Sequence, residues 1–192
     1  MIKYQDSIAE INRHREDAVC VTTMTQTRYW YAVSERSDLD IGISNGMSKA
    51  SSVGLGIALG APGRKVFVLD GDGSLLMNLG SLVTVAGQSP DNYYHFVFNN
   101  GIYAVTGGQP LPGKSVDYVG LAKASGYRDA RRFDSLAELG AALPGLLGQP
   151  GPILVEISTV PEPADHGVDQ TWESNARMPR QMRSVKNELA SR

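Results

Sequence analysis

Only one cysteine, Cys20, stands among the 192 residues, so no internal disulfide can form and no cysteine-built zinc or iron–sulfur site is available. It falls inside the apolar run "AVCVTT" and reads as a buried core residue rather than a reactive thiol. Neither sign of charge is in excess. The 18 Lys and Arg against 20 Asp and Glu leave a net of -2, which removes any global electrostatic reason to expect nucleic acid. Apolar runs long enough to span a membrane are missing. The start, "MIKYQDSIAEINRHRED", is too charged for a signal peptide, so a cytoplasmic chain is expected. Histidines are few: His14 reads as solvated, His95 as packed within a strand, and His166, in "PADHGVD", as the candidate proton carrier.

Glycine is what the chain has in plenty, at 21 residues, and glycine serves turns with unusual backbone demands. The length suits one domain with a real core, expected over 1–165, followed by a basic tail over 166–192. Ile2, Ile8 and Ile11 among charges predict a surface helix over 2–15. "AVCVTT" predicts a strand, "TRYWYAVSE" a helix, and 38–43 a short extended piece. Small residues throughout "NGMSKASSVGLGIALGAPG" suit a helix held close to a sheet. "KVFVLD" is a continuous apolar strand of the kind buried on both faces. A helix over 74–87 follows, then the strand "YYHFVFNN" and a glycine and proline loop over 101–114. Next come a helix over 118–125, the strand "YRDARRF", a helix over 135–147 and the strand "PILVEIST". Ser135 or Asp134 is the expected N-cap of that last helix, with Glu138 behind it. Alternation of this kind argues an α/β layer sandwich on a mostly parallel sheet. In the tail, Arg177, Arg180, Arg183 and Lys186 at near-helical spacing predict a solvated surface helix, with Trp172 as an anchoring contact.

Ligands of open α/β sheets bind outside the carboxyl ends of the strands. Three such ends carry unusual residues: "NG" before Met47, "DGDGS" after Leu69 and "NNG" after Phe98. The glycines of "DGDGS" let backbone approach an anion, and the N–H groups of Gly73 and Ser74 open a helix there. A carboxylate in the same turn repels a phosphate unless a cation lies between them. Asp72 therefore makes sense as a ligand of Mg²⁺, a hard ion that takes oxygen donors. Asn100, at the end of the next strand, offers an amide oxygen, and the carbonyl of Ile102 a third donor.

GDG followed after a helix and a strand by NN, twenty-eight positions past Asp72, resembles the thiamine diphosphate signature. "NGMSKASSVGLGIALG", "VLDGDGSLLMNLGSLVTVAG" and "FNNGIYAVTGGQPLPG" are similar to the matching stretches of phosphonopyruvate and sulfopyruvate decarboxylases, above all to the small subunit carrying only the diphosphate-binding half. The resemblance spans roughly residues 20–159 and implies a six-stranded parallel sheet flanked by helices, a three-layer sandwich. It implies thiamine diphosphate and Mg²⁺ as cofactors, with Asp72, Asn100 and the Ile102 carbonyl on the metal. Gly71, Gly73 and Ser74 would meet the diphosphate; Gly46 and Met47 would lie against the cofactor, Met47 wedged between its two rings. Two departures stand beside the reaction centre: Lys49 and Tyr103 occupy positions where a histidine is expected. Lys49 either pairs with an anionic substrate tail or faces solvent. With His166, these two are the catalytic candidates.

The glutamate that engages the cofactor's aminopyrimidine belongs, in this superfamily, to a separate pyrimidine-binding domain. No glutamate of this chain stands in such a motif. The expectation is a β subunit, inactive alone, joined to a pyrimidine-binding α subunit in an α2β2 or larger assembly. Its reaction would be decarboxylation of a small anionic 2-oxo acid. Carboligation of the acetolactate synthase type is the alternative within the same cofactor class. A 2-oxoacid–ferredoxin oxidoreductase subunit needs cysteines that are missing. A non-catalytic cofactor-binding subunit has no need of Asp72 and Asn100 together, and a flavodoxin-like domain does not account for "NN".

Overall fold

The computed structural model describes residues 1–112, 116–162 and 172–191. Six strands form one wholly parallel sheet: β1 (Val19–Thr23), β2 (Asp40–Ile43), β3 (Val66–Gly71), β4 (Tyr93–Asn99), β7 (Asp129–Phe133) and β8 (Ile153–Ser158). Their order across the sheet is β2-β1-β3-β4-β8-β7. Two short strands, β5 (Ile102–Tyr103) and β6 (Gln109–Pro110), form an antiparallel ribbon inside the loop expected over 101–114. Central strands here are apolar on both faces because helices cover both. Val66 and Val68 join one core with α3 (Ala50–Gly60), α5 (Gly80–Gln88) and α6 (Tyr118–Ser125). Phe67 and Leu69 point the other way, into a second core with α1 (Tyr4–Arg13), α2 (Met24–Tyr31) and α7 (Leu136–Leu147).

The small residues of α3 do what their size allows. A Cβ on Gly54 would run into Val68 and lie 3.3 Å from Tyr93 Cε2, so only glycine lets the helix sit this close. Three expectations need correcting. The helix over 74–87 is two helices, α4 (Asp72–Leu76) and α5, because Met77, Asn78 and Leu79 leave the helical run between them. Ser81 and Leu82 there donate to the carbonyls three residues back, the tight bonding of a helix terminus. Ser135 occupies the N-cap of α7, but its side chain makes no capping bond, so the capping box is not formed. The tail helix α8 (Trp172–Ala190) is not simply solvated. Its Arg180, Arg183 and Lys186 are exposed, while Val185 is buried and Gln181 bonds to both β2 and α2. Gln181 Oε1 accepts from Gly42 N–H at 3.1 Å, and its Nε2 donates to the Tyr31 hydroxyl at 2.6 Å. That cover blunts the β2 edge of the sheet. The side chain of Trp172 lies outside the described residues.

Candidate functional site

β1 sends the chain to β2 on one side, and β3 returns on the other, so the carboxyl ends of β1 and β3 mark a topological switch. The acidic turn stands there. Asp70, the last side chain of β3 to face inward, is wholly buried. Its Oδ1 accepts from Gly71 N–H at 2.9 Å, and its Oδ2 lies 3.6 Å from His95 Nε2, too far for a hydrogen bond. His95 is packed, as expected, with Nδ1 3.2 Å from the Tyr127 hydroxyl.

Asp72 faces the other way, into a cleft. Its Oδ1 accepts from Gly73 N–H at 2.7 Å. Its Oδ2 accepts from Gly101 N–H at 2.7 Å and Asn100 N–H at 2.9 Å. One carboxylate thus clamps the end of β4 to the start of α4. Burial pushes its pKa up to about 6, against the pull of those three N–H groups, and the charge of Asp70 adds to the rise. Asn100 Oδ1 accepts from Ile102 N–H at 3.0 Å, and its Nδ2 donates to the Tyr4 hydroxyl at 3.0 Å. Ser74 Oγ accepts from Ser48 N–H at 2.9 Å, which ties the segment carrying Met47 to the same turn.

Met47, Gly71, Asp72, Gly73, Ser74, Asn100, Ile102 and Tyr103 all line this one cleft. Gly46 and Lys49 do not line it: Lys49 is exposed, at the N-cap of α3. His166 lies outside the described residues. Ala104, Val105 and Thr106 continue the wall beyond Tyr103, and Tyr4, Met24, Thr25 and Gln26, none of them singled out by a motif, form the side facing them. Three of these follow directly on β1, where the strand-end rule alone would have flagged them; Tyr4 carries no sequence signal. Tyr103 leans over Gly73, where a Cβ would come within 2.6 Å of its Cε1. The turn that was expected to present the Gly73 N–H outward instead gives it to Asp72.

The family described as "Thiamine pyrophosphate enzyme, C-terminal TPP binding domain" matches residues 17–157. The chain belongs to this family. A phosphonopyruvate decarboxylase of Streptomyces viridochromogenes is 42% identical over 151 residues, 79% of this chain and 38% of that protein. The TPP-binding chain thus spans little more than a third of that relative. A sulfopyruvate decarboxylase subunit beta of Methanothermobacter thermautotrophicus is 35% identical over 166 residues, 86% of each chain. Among solved structures, a thiamine diphosphate-dependent 4-hydroxybenzoylformate decarboxylase of Rhodococcus jostii RHA1 matches with a TM-score of 0.74. It is 20% identical and covers 85% of this chain and 33% of that one, a likeness of fold.

The TPP-binding domain's own geometry fits a magnesium diphosphate. Asp72 Oδ1 and Asn100 Oδ1 each accept one hydrogen bond from within the site and keep a lone pair. Ile102 faces Pro110, which has no N–H to offer its carbonyl. No group of three or more His, Cys, Asp or Glu able to hold a metal occurs among the described residues. The donor set is therefore one carboxylate, one amide and one carbonyl, all hard oxygens. The cleft encloses about 70 Å³, far less than a drug-sized ligand fills. Among the described residues, no glutamate lines it.

Proposed function

We propose that this chain is the diphosphate- and Mg²⁺-binding subunit of a two-subunit, thiamine diphosphate-dependent 2-oxo acid decarboxylase. It works only with a pyrimidine-binding partner subunit that supplies the catalytic glutamate. The observation that carries this reading is the cleft itself: Asp72, Asn100 and Ile102 line it together, the Oδ1 atoms of Asp72 and Asn100 each keep a lone pair, and no described glutamate reaches it. The relative named as a subunit beta matches along 86% of both chains, which supports a division of the site between polypeptides. Phosphonopyruvate and sulfopyruvate, the acids in the relatives' names, support a substrate class of short 2-oxo acids with an anionic tail.

Bound in this cleft, the cofactor supplies the electron sink for loss of CO₂ from the 2-oxo acid. The chain's residues supply position and field. Asp72, Asn100 and the Ile102 carbonyl hold the cation that neutralises the diphosphate. Met47, from the segment tied to Ser74, presents an apolar side chain to the cofactor. Tyr103 and its ribbon close the cleft over Gly73 and keep water from the reacting face. Lys49, exposed at the head of α3, is placed to meet the anionic tail only if the partner brings the substrate to it.

Calorimetric titration of thiamine diphosphate with Mg²⁺ tests this, on the chain alone and with its partner, with Asp72→Ala as control. Tight, Mg²⁺-dependent binding that needs the partner and is lost in the variant is the expected result, followed by CO₂ release from phosphonopyruvate or sulfopyruvate. Absence of binding in both settings, with the chain folded and the partner associated, refutes the reading. Binding with carbon–carbon bond formation in place of CO₂ release alone would move the chain to the carboligating class.

A further inference from the structure

Tyr4 belongs to no motif and lies outside the 17–157 segment that the family covers. It nevertheless lines the cleft and is 2% exposed. Its ring is stacked between Tyr29 of α2 and Phe98 of β4, with both centroid distances 5.5 Å and interplanar angles of 15° and 10°. The helix that carries it is fastened to the end of the sheet. Ile2 N–H donates to the Ser158 carbonyl at 2.8 Å, and Val160 N–H donates to the Ile2 carbonyl at 3.0 Å. Tyr4 therefore has little freedom, and burial keeps its hydroxyl protonated.

The orientation of the Asn100 amide follows from its neighbours. Ile102 N–H is a donor, so the amide atom it meets at 3.0 Å is the oxygen. The NH2 end must then face Tyr4, whose hydroxyl oxygen accepts from it at 3.0 Å. Lacking that acceptor, the buried NH2 group has reason to rotate, and the oxygen rotates with it.

We propose that Tyr4 is a positioning residue for the metal ion: its hydroxyl fixes the Asn100 amide so that Oδ1 presents its free lone pair to the cation. The assignment rests on reading Asp72 and Asn100 as metal ligands. Outer partners that orient metal ligands commonly change affinity by about 10–100-fold.

Mn²⁺ stands in for Mg²⁺ in the test, counted by electron paramagnetic resonance on the full chain with thiamine diphosphate, with and without the partner subunit. Tyr4→Phe keeps the stacked ring and removes only the hydroxyl, which faces Thr159 as well as Asn100. The half-saturating Mn²⁺ concentration should rise roughly tenfold or more, with thiamine diphosphate affinity at saturating Mn²⁺ unchanged. Tyr29→Phe, which removes a hydroxyl from the neighbouring ring, should titrate like wild type. A Tyr4→Phe protein that binds Mn²⁺ as tightly as a binding-competent wild type overturns the proposal. So does an equal loss of cofactor affinity at saturating metal, the mark of a merely structural role. If the wild-type chain takes up no Mn²⁺ in either setting, the ligand reading itself fails, and the role of Tyr4 falls with it.

Discussion

Replacing Asp72 by Asn is the sharpest probe of what this cleft asks of the fold. An acid whose pKa rises from 3.8 to about 6 on folding holds its proton more tightly in the folded chain. Ionising it therefore costs the fold about 3 kcal/mol. The sign is fixed: the cost is absent below about pH 4, grows as pH rises through the interval, and is complete above about pH 6. Asp72→Asn also carries a constant offset. An amide has one oxygen, so at least one of the three N–H groups now held by the carboxylate meets an NH2, at about 1–3 kcal/mol. The diagnostic is thus the slope with pH, not the height. Urea unfolding followed by tryptophan fluorescence measures it, since Trp30 is fully buried and donates to Asp40 Oδ1 at 2.8 Å. Wild-type stability minus variant stability should fall by about 3 kcal/mol between about pH 4 and pH 7.5. Mg²⁺ with thiamine diphosphate should abolish that fall in the wild type, because a cation beside the carboxylate favours its charged form. Parallel profiles for the two proteins would refute the burial argument, and an unaltered slope with ligands present would refute the metal role.

Gly73→Ala should cost roughly 1–3 kcal/mol in thermal or urea unfolding and weaken cofactor binding, because its Cβ would press on Tyr103 and on Leu111 Cδ2, 2.9 Å away. Unchanged stability and binding would mean the β5–β6 ribbon shifts without consequence. Asp40→Ala should destabilise by about 3–5 kcal/mol, since it strands Arg15, whose guanidinium sits 2.7 Å from Asp40 Oδ1 with its side chain almost wholly buried. Arg15→Met with Asp40→Leu should recover only part of that loss in the same unfolding assay, because the buried Trp30 N–H still loses its acceptor. Gln181→Ala should speed amide hydrogen exchange at Gly42 at least several-fold by removing the side-chain acceptor it meets in α8, while the amides of β3 and β4 stay protected. Equal exchange in both proteins would show that α8 does not guard the β2 edge.

Most of the scaffold was legible because parallel strands buried on both faces announce themselves. "KVFVLD" and "YYHFVFNN" have no polar alternation, and both became inner strands, β3 and β4. The cleft was legible in part for the same reason: Asp72, Asn100, Met47 and Ile102 sit in strand-end segments whose unusual residues have no packing role to explain them. What was illegible depends on contacts far apart in sequence. Tyr4 reaches the cleft only because Ile2 bridges to Thr159, a pairing of residues 157 positions apart that no local pattern encodes. Its helix was read by Ile2, Ile8 and Ile11, and a tyrosine on that buried face looked like one more apolar side chain. The break between α4 and α5 was hidden by the apolar residues on both sides of Asn78. For Lys49 the sequence leaves an anionic tail and solvent both open; it is exposed at the N-cap of α3, while Met47, two residues earlier, lines the cleft.

Backbone strain is collected at the same end of the sheet as the acid. Met24, at φ 50°, follows directly on β1; Asn45 and Ser48, at φ 55° and 72°, lie in the segment between β2 and α3; and Gly101, at φ 74°, lies just past β4. Each left-handed non-glycine residue costs about 1–2 kcal/mol, and the ionised Asp72 adds a cost of the same order at neutral pH. Elsewhere in the chain the segments between elements are unremarkable enough that Glu16 and Ser89 are the other two such residues among those described. A fold that gathers left-handed backbone and a buried carboxylate of raised pKa around one cleft is least stable there. Met47 and Gln26, beside the left-handed residues, line the cleft with the acidic turn, so on the proposed function a cation there would meet a site already shaped and offset the electrostatic part of the cost. On that argument the cleft's instability and its binding strength have one origin, and a variant that relaxes Ser48 to glycine should leave the sheet intact while making the turn beside Ser74 easier to form.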